Sequence, residues 1–122
     1  MIRKTQQREV IRGIIFGCNR ALSVNEIYDE ALKSHPTMGI STVYRTLKSL
    51  LESAEIITVE IGGEAPRYEM ANLAHHHHFK CRSCEKVFDI AGCLPQVSDL
   101  LPKGFKLFSH EITLFGTCAK CA

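Results

Sequence analysis

A metal site is the chemistry most directly indicated by two matched cysteine pairs, Cys81-x-x-Cys84 and Cys118-x-x-Cys121, which are separated by 33 residues. Each Cys-x-x-Cys turn can present two sulfur atoms to one ion, and four thiolates satisfy a tetrahedral Zn²⁺. The alternative is a pair of redox dithiols, but neither pair lies in a thioredoxin-like βαβ pattern. The sequence therefore predicts a structural zinc ion held by four cysteines.

Four consecutive histidines, His75 to His78, precede the first cysteine pair. If the run is extended, alternate side chains point to opposite faces. His76 and His78 then share one face, and His75 and His77 share the other. The alternative is a polar strand with solvated histidines. Because the run lies beside a predicted zinc motif, we expect two separate metal sites.

Each histidine pair needs partners from elsewhere in the chain. Glu69 and Asp89, on neighbouring strand-like segments, are candidate carboxylates for one site. His110, on the strand-like segment Phe105 to Phe115, is a candidate for the other. Asp89 could instead be a strand-end charge, Glu69 a partner of Arg67, and His110 a hydrogen-bonded core histidine. Mixed nitrogen and oxygen sites suit Zn²⁺, Fe²⁺ or Mn²⁺.

The remaining cysteines, Cys18 and Cys93, have no partner at the Cys-x-x-Cys spacing. Both are predicted to be small core residues. The chain has six cysteines, and the redox compartment decides whether they form disulfides or stay reduced. The apolar stretches are too short to span a bilayer, and the first residues do not open a secretory signal. We therefore expect a cytoplasmic protein with reduced thiols that bind metal.

Three helices are predicted to precede these sites. Thr5 is the expected cap of the first helix, whose apolar stripe comprises Val10, Ile11, Ile14 and Ile15. A capping box, Ser23-Val24-Asn25-Glu26, opens the second helix, which continues to about Lys33. The third begins at Ser41 or its neighbour, and its apolar face comprises Val43, Leu47, Leu50 and Leu51.

A hairpin is predicted after the third helix. Ile56 to Ile61 is β-branched, Gly62-Gly63 supplies a tight turn, and Arg67-Tyr68-Glu69 is the returning strand. Three short helices followed by a hairpin is the order of a winged helix-turn-helix, whose last helix lies in the major groove of DNA. The residues predicted to face DNA on this helix are Ser41, Tyr44, Arg45 and Lys48.

The charge distribution agrees with a first part that binds DNA and a second part that binds metal. Residues 1–50 hold eight Lys and Arg against four Asp and Glu, whereas residues 51–122 hold seven against nine. The basic first part can approach a polyanion. Flanking phosphates would be neutralised by Arg3, Lys4, Arg8 and Arg12. The alternative is a set of amphipathic helices with solvated basic faces.

A resemblance spans nearly the whole chain. It is carried, in order, by Arg3-x-Thr5-x-x-Arg8, Ser41-Thr42-Val43-Tyr44-Arg45-Thr46-Leu47, Arg67-Tyr68-Glu69, His75 to His78, Cys81-x-x-Cys84 and Phe115-Gly116-Thr117-Cys118-x-x-Cys121. In this combination the sequence resembles the ferric uptake regulator family of bacterial, dimeric, metal-dependent transcription factors. The resemblance implies an α+β chain. A winged helix-turn-helix DNA-binding domain is expected at residues 1–70, and a small α/β dimerisation and metal-binding domain with the four-cysteine zinc site at residues 71–122.

The resemblance also implies three metal sites. The structural zinc site maps onto Cys81, Cys84, Cys118 and Cys121. The regulatory site maps onto Glu69, His76, His78 and Asp89. The third site maps onto His75, His77 and His110, with Gln96 where the family usually has a carboxylate. An amide oxygen is a weaker ligand, so we expect weaker binding at the third site.

The function that the resemblance implies is that of a homodimeric repressor. It would bind double-stranded operator DNA when its regulatory site is loaded, and it would control metal uptake genes. Iron and peroxide sensors usually supply a further histidine just before the second helix, where this chain has Ala21. Four remaining ligands suit tetrahedral Zn²⁺, so zinc sensing is predicted. However, zinc sensors often have a cysteine in place of Glu69, which leaves iron, manganese or peroxide sensing as alternatives.

Two other classes of function remain as rivals. A zinc-dependent enzyme needs an open coordination position and a general base. The sequence has no His-Glu-x-x-His, no nucleophile elbow and no phosphate-binding loop, so an enzyme is not expected. The other rival is a structural scaffold in which only the four paired cysteines bind metal. DNA binding that is indifferent to added metal would favour it.

Overall fold

The computed structural model describes residues 3–122, and the chain divides into two compact units. The N-terminal unit ends at Leu73, and the C-terminal unit comprises Ala74–Ala122. This division lies three residues beyond the boundary that the sequence predicts. Within residues 3–122, no helix has the length and apolar character needed to cross a membrane.

Three helices form most of the N-terminal unit: α1 (Lys4–Phe16), α2 (Val24–Ser34) and α3 (Ile40–Glu52). A two-residue strand, β1 (Arg20–Ala21), lies between the first two. The predicted cap of α1 is wrong. Arg3 is the N-cap, and its N–H donates to Oε1 of Gln6 at 3.1 Å, so Thr5 lies inside the first turn. The side-chain amide of Gln6 satisfies a terminal backbone donor, as a hydroxyl-based cap would.

The capping box of α2 is present as predicted. Oγ of Ser23 accepts from the N–H of Glu26 at 3.1 Å, and the N–H of Ser23 donates to the Glu26 carboxylate at 3.1 Å. That carboxylate also pairs with Arg20 at 2.8 Å and with Arg67 at 2.9 Å. Burial raises the pKa of Glu26, but the hydrogen bonds from Arg20 and Ser23 and the charge of Arg67 outweigh it and lower this pKa overall. The capping residue therefore also ties α2 to the strand that carries Arg67.

The predicted apolar faces of the helices form one core. Ile11 and Ile15 of α1 are fully buried, as are Val43, Leu47 and Leu50 of α3. Each such side chain contributes about 1.5–3 kcal/mol of transfer free energy relative to an exposed position. The core holds α3 against α1 and α2 and leaves the polar face of α3 in solvent.

The hairpin predicted after α3 is also present. Strand β2 (Ile56–Val59) pairs antiparallel with β3 (Arg67–Met70). Gly62 and Gly63 both have positive φ, 53° and 83°, which glycine adopts without steric cost. Leu22 and Tyr68 exchange backbone hydrogen bonds of 2.9 and 2.8 Å, which fasten the hairpin to the helices. Three helices and this hairpin form the winged helix-turn-helix that the sequence predicts.

The C-terminal unit is built on a small mixed sheet. Strand β4 (His76–Cys81) lies between β5 (Val87–Ala91), which is antiparallel to it, and β6 (Thr113–Gly116), which is parallel. A 3-10 helix, Val97–Leu100, lies between β5 and β6. Together with the helical N-terminal unit, this sheet confirms the predicted α+β fold class.

One predicted strand is shorter than expected. Within the segment Phe105 to Phe115, only the residues from Thr113 onward form a β-strand. His110 therefore lies outside any strand. The register of β4 with β6 pairs His78 with Thr113. This register places the first residue of β4 level with residue 111. The residues before it therefore have no β4 backbone to pair with.

Candidate metal centres and nucleic-acid interface

The four paired cysteines converge at one end of the C-terminal sheet. Cys81 ends β4, and Cys118 follows β6 closely. Because β4 and β6 are parallel neighbours, both strands end at the same edge, and the N–H of Arg82 donates to the carbonyl of Gly116 at 2.8 Å. The four sulfur atoms lie within 4.8 Å of one another.

The spacing of these sulfur atoms fits a tetrahedral zinc site. Sγ of Cys84 lies 3.9 Å from Sγ of Cys118. Zn–S bonds of 2.3 Å in tetrahedral geometry place sulfur atoms about 3.8 Å apart. The N–H groups of Cys84 and Cys118 point at Sγ of Cys81, at 3.4 and 3.3 Å. Thiolate sulfur accepts such contacts, so the site can take up a cation with little rearrangement of these atoms.

Cys81 and Cys121 differ in the pKa of their thiols. The backbone N–H groups of Cys84 and then Cys118 lower the pKa of Cys81 to about 6. The hydrogen bond with Cys118, followed by burial, raises the pKa of Cys121 to about 12. Negative charge is therefore stabilised at one sulfur and opposed at another. A bound divalent cation would remove this conflict, because it stabilises all four thiolates together.

A second cluster lies on the opposite face of β4 from His77. Nε2 of His78 lies 3.5 Å from Oδ1 of Asp89, and Nε2 of His76 lies 3.9 Å from Oδ2. The pairing of His78 with Asp89 across β4 and β5 produces this arrangement. Nδ1 of His76 lies 2.8 Å from the carbonyl of Ala74, and donation from Nδ1 places the lone pair on Nε2. These two imidazoles and one carboxylate offer the mixed donors typical of a transition-metal site.

The fourth predicted ligand of this cluster, Glu69, belongs to the N-terminal unit. It lies in β3 opposite Ile57, and the residue is only 3% exposed. A carboxylate this well buried requires compensation by cations or hydrogen-bond donors. Its participation in metal binding stays a prediction.

A third cluster contains the remaining three C-terminal histidines. Nε2 of His75 lies 3.1 Å from Nε2 of His77 and 3.2 Å from Nε2 of His110. A cysteine completes the group, since Sγ of Cys93 lies 3.1 Å from Nε2 of His77 and 2.8 Å from Nε2 of His110. The four ligand atoms lie within 4.8 Å of one another.

Cys93 is therefore not the core residue that the sequence predicts. Cys93 is exposed and follows the end of β5. Its thiol contacts the imidazoles of His77 and His110. Cys18, in contrast, packs against the core of the N-terminal unit. Gln96, the predicted fourth ligand, is exposed and precedes the 3-10 helix. No local signal in the sequence identifies Cys93 as a ligand, because it is the pairing of β4 with β5 that carries the residues after β5 past the start of the histidine run.

His77 is the buried member of this cluster. Burial, followed by the neighbouring imidazoles, lowers the pKa of His77, which favours the neutral form that binds metal. The N–H of Ile112 donates to Nδ1 of His77 at 3.2 Å, so the proton of the neutral ring resides on Nε2. Coordination through Nε2 therefore requires this proton to leave or to move to Nδ1. In the latter case the contact with Ile112 must open.

The predicted DNA-facing surface is the polar face of α3. Its four predicted contact residues are all exposed: Ser41, Tyr44, Arg45 and Lys48. The guanidinium of Arg45 donates to Oγ1 of Thr42 at 3.0 Å, which restricts its position along the helix. A groove beside this face runs between the start of α1 and α3. It is lined by Lys4, Thr5, Gln7, Arg8, Thr42, Arg45, Thr46 and Ser49.

Two of the basic residues predicted near phosphates also have internal partners. Arg8 donates to Ser49, Ser53 and Glu55, and Arg12 donates to Glu55 at 2.8 Å. These contacts join α1 to the end of α3 and to the loop after it. Arg3, by contrast, is exposed. The geometry therefore gives Arg8 a part in positioning α3 within the unit, beside its predicted role toward DNA.

Comparison with known proteins agrees with a chain that has metal centres and a DNA-facing helix. The ferric uptake regulator family matches over residues 1–115. The ferric uptake regulation protein of Campylobacter jejuni is 35% identical over 126 residues, covering 98% of this chain and 80% of that protein. The zinc uptake regulation protein of Mycobacterium tuberculosis is 32% identical over 123 residues, covering 98% of this chain and 95% of that protein.

Solved structures show the same fold. A zinc-bound manganese uptake regulator superposes with a TM-score of 0.80 at 29% identity, covering 96% of this chain and 91% of the other. The ferric uptake regulator of Helicobacter pylori superposes with a TM-score of 0.73 at 28% identity, covering 98% and 82%. That regulator is described as having three functional metal binding sites. These relatives are named as regulators rather than as enzymes, as the sequence predicts. The chain belongs to the ferric uptake regulator family of metal-responsive transcription regulators.

Proposed function

We propose that this protein is a metal-dependent transcriptional repressor that binds operator DNA as a homodimer when its regulatory site is loaded. The regulatory ligands would be Glu69, His76, His78 and Asp89. The observation that carries the proposal is the convergence of two imidazoles and a carboxylate across β4 and β5. In a family of metal-responsive regulators, such a mixed-donor cluster would let the protein respond to metal by binding it, with no catalysed reaction.

The proposed mechanism couples the metal to DNA through the two units. Glu69 belongs to the N-terminal unit, whereas the other three ligands belong to the C-terminal unit. A metal bound by all four would restrict the angle between the units. In a dimer, that angle sets the distance between the two α3 helices, which must match two half-sites on DNA. Metal would thus favour the DNA-binding conformation, and DNA must reciprocally tighten metal binding.

Membership of the ferric uptake regulator family supports DNA binding by a dimer as part of this proposal. We propose that α3 of each protomer enters the major groove with Tyr44 and Arg45, while Ser41 and Lys48 contact the backbone nearby. Arg3 and Arg8 would contribute to neutralising flanking phosphates. The exposed position of the α3 residues supports this arrangement. When metal is scarce, the repressor would release genes for metal uptake.

Zinc is the sensed metal that we propose. Four regulatory ligands suit tetrahedral Zn²⁺, and Ala21 stands where iron sensors usually supply a fifth ligand. A zinc uptake regulation protein is among the relatives. The alternative is iron or manganese sensing, and the specific observation in its favour is the absence of sulfur from the proposed regulatory set. Peroxide sensing would require the iron-loaded form and oxidation of a ligand histidine.

The test is a titration of metal against DNA affinity. An operator fragment is first selected from a random DNA pool with zinc-loaded protein, and its affinity is then measured by fluorescence anisotropy with Zn²⁺, Mn²⁺ or anaerobic Fe²⁺. We expect metal to tighten binding by about 5-fold to 150-fold. The metal with the largest effect at its cellular concentration identifies the sensed ion.

Variants then separate the regulatory ligands from general effects. His78→Ala and Glu69→Ala should each abolish the metal-dependent gain while they leave metal-free DNA affinity unchanged. His35→Ala is the matched control, because this histidine caps α2 in the N-terminal unit, remote in sequence from the predicted ligands. An unchanged metal response in both ligand variants would contradict the proposal. If the DNA affinity of the wild type itself does not change on addition of metal, the structural scaffold is favoured instead.

A further inference from the structure

We infer that Cys93 is the fourth ligand of the cluster formed by His75, His77 and His110. The third metal site of this chain is then a thiolate site with three imidazoles, selective for Zn²⁺ over Mn²⁺ and Fe²⁺. This role of Cys93 is independent of the proposed DNA binding.

The path of the backbone delivers Cys93 to the histidines. Strands β4 and β5 pair with His76 opposite Ala91, so the chain leaving β5 passes the start of β4. Gly92 follows with φ of 87°, a conformation that a side chain would strain. A Cβ atom at position 92 would meet no atom within 4 Å, so backbone conformation rather than lack of space favours glycine there. This turn directs the next residue, Cys93, back toward the histidine run.

The four ligand atoms form a closed circuit. His75 contacts His77 at 3.1 Å, His77 contacts Cys93 at 3.1 Å, Cys93 contacts His110 at 2.8 Å, and His110 contacts His75 at 3.2 Å. Each of the four therefore neighbours two others. The residues come from β4 and the residue before it, from the turn after β5 and from the loop before β6. Four donors that meet from three separate segments form a site that one ion can close.

The distances agree with a zinc-sized ion after a small expansion. Neutral His77 can bind through Nε2 only when its proton moves to Nδ1, which opens the contact from the Ile112 N–H. Tetrahedral zinc with Zn–N bonds of 2.0–2.1 Å and a Zn–S bond of 2.3 Å separates nitrogen atoms by about 3.3 Å, and sulfur from nitrogen by about 3.6 Å. The nitrogen contacts at 3.1 and 3.2 Å are close to this value. The sulfur contacts at 3.1 and 2.8 Å would lengthen by about 0.5 and 0.8 Å. Cys93 and His75 are exposed, so their side chains can make this adjustment.

Gln96 is the competing candidate for the fourth ligand. Its amide oxygen is a hard, neutral donor of the kind that suits Mg²⁺, Ca²⁺ or Mn²⁺. It is exposed at the start of the 3-10 helix, three residues beyond Cys93. The thiol already contacts two of the histidines, and a thiolate adds the negative charge that the three neutral imidazoles lack. Thiolate is also the softer donor, which shifts selectivity toward Zn²⁺ and Co²⁺.

The first test is spectroscopic and uses Co²⁺ as the probe. Protein whose four-cysteine site retains zinc, verified by native mass spectrometry, is titrated with Co²⁺. A thiolate ligand to Co²⁺ produces a near-ultraviolet sulfur-to-cobalt charge-transfer band, which the all nitrogen and oxygen regulatory site cannot produce. We expect this band in the wild type, its loss in Cys93→Ser, and its retention in the matched control Gln96→Ala. Zinc affinity at the third site should fall at least about tenfold in Cys93→Ser.

The second test requires no substitution. Alkylation of the wild type with N-ethylmaleimide, located by peptide mass spectrometry, should modify Cys93 rapidly when only the four-cysteine site holds zinc. Further zinc should protect Cys93, whereas excess Mn²⁺ should not. A charge-transfer band that survives in Cys93→Ser would overturn the inference. So would a Cys93 that reacts equally fast with and without added zinc.

Discussion

Sγ of Cys93 lies 2.8 Å from Nε2 of His110, although the two residues are 17 positions apart in the chain. The contact joins the turn after β5 to the loop before β6. Neither segment is itself a strand at these positions, so the contact depends on β4, which holds both β5 and β6 in register. A soft sulfur donor thereby enters a cluster that would otherwise consist of imidazoles.

The four-cysteine site is expected to be required for folding of the C-terminal unit. Structural zinc sites contribute an apparent binding free energy of about 10–16 kcal/mol at pH 7. The substitution Cys118→Ser should therefore eject zinc and unfold the sheet, since β6 is short and ends beside this site. The N-terminal unit should stay folded because its core lies entirely within residues 11–68.

Zinc content by mass spectrometry and amide hydrogen exchange resolved by unit are the measurements. Cys18→Ser is the control, because this thiol lies in the N-terminal unit against its core. It should retain a full complement of structural zinc. If Cys118→Ser kept both zinc and slow exchange in β4, the predicted role of the site would be wrong.

The polar face of α3 is predicted to recognise DNA. Arg45→Ala should weaken operator binding by about 1–3 kcal/mol and relax the sequence preference, because a base contact is lost. Lys48→Ala should weaken binding to all sequences and reduce the salt slope by about 1, because a phosphate contact is lost. Lys33→Ala, which removes the same charge from α2, is the control. Equal losses for Lys33→Ala and Lys48→Ala would show that the effect comes only from net charge.

The stability of the N-terminal unit should depend on the ionisation of Glu55. Hydrogen bonds from Ser53 and Arg12, and then from Arg8, lower the pKa of this carboxyl from 4.5 to about 2. Because the pKa is lower in the folded state, ionised Glu55 stabilises the fold above about pH 4.5, and this stabilisation is lost as the pH falls toward about 2. Glu55→Gln should therefore be less stable than the wild type at pH 7.

The difference between Glu55→Gln and the wild type should shrink as the pH is lowered through that window. Amide hydrogen exchange in α1 is the suitable measurement, since it reports on the N-terminal unit separately from acid-induced zinc release. Glu52→Gln, an exposed residue at the end of α3, is the charge-matched control and should show no such convergence. A stability difference that is constant from pH 7 to pH 2 would exclude the ion pairs as its cause.

A second copy of this chain is expected to cover apolar side chains of the C-terminal unit. Phe108 is 92% exposed and Leu100 is 84% exposed, which is unfavourable for side chains of this size in water. The double substitution Leu100→Lys and Phe108→Lys should raise the dissociation constant of the dimer at least about a hundredfold, because two apolar side chains that anchor the interface are lost. Analytical ultracentrifugation measures this change. Ile57→Lys, on the exposed face of β2, is the control, and equal dissociation in both variants would contradict the assignment.

The sequence by itself determined the elements whose signals are local. The capping box at Ser23, the apolar stripes of α1 and α3, and the glycine turn of the hairpin depend on neighbouring residues only, and all are present. The alternation of the histidine run follows from the period of an extended strand, and the structure divides the run between two clusters accordingly. The cap of α1 was missed because Gln6 replaces the usual hydroxyl partner.

The tertiary structure alone decided what depends on register between strands. The pairing of β4 with β6 left His110 in a loop, and the pairing of β4 with β5 brought Cys93 to the histidines. A cysteine without a partner at Cys-x-x-Cys spacing carries no local signal of metal binding, because its ligand partners are distant in the chain. Strand pairing sets such distances through backbone hydrogen bonds over several residues at once, and spacing along the sequence does not encode them.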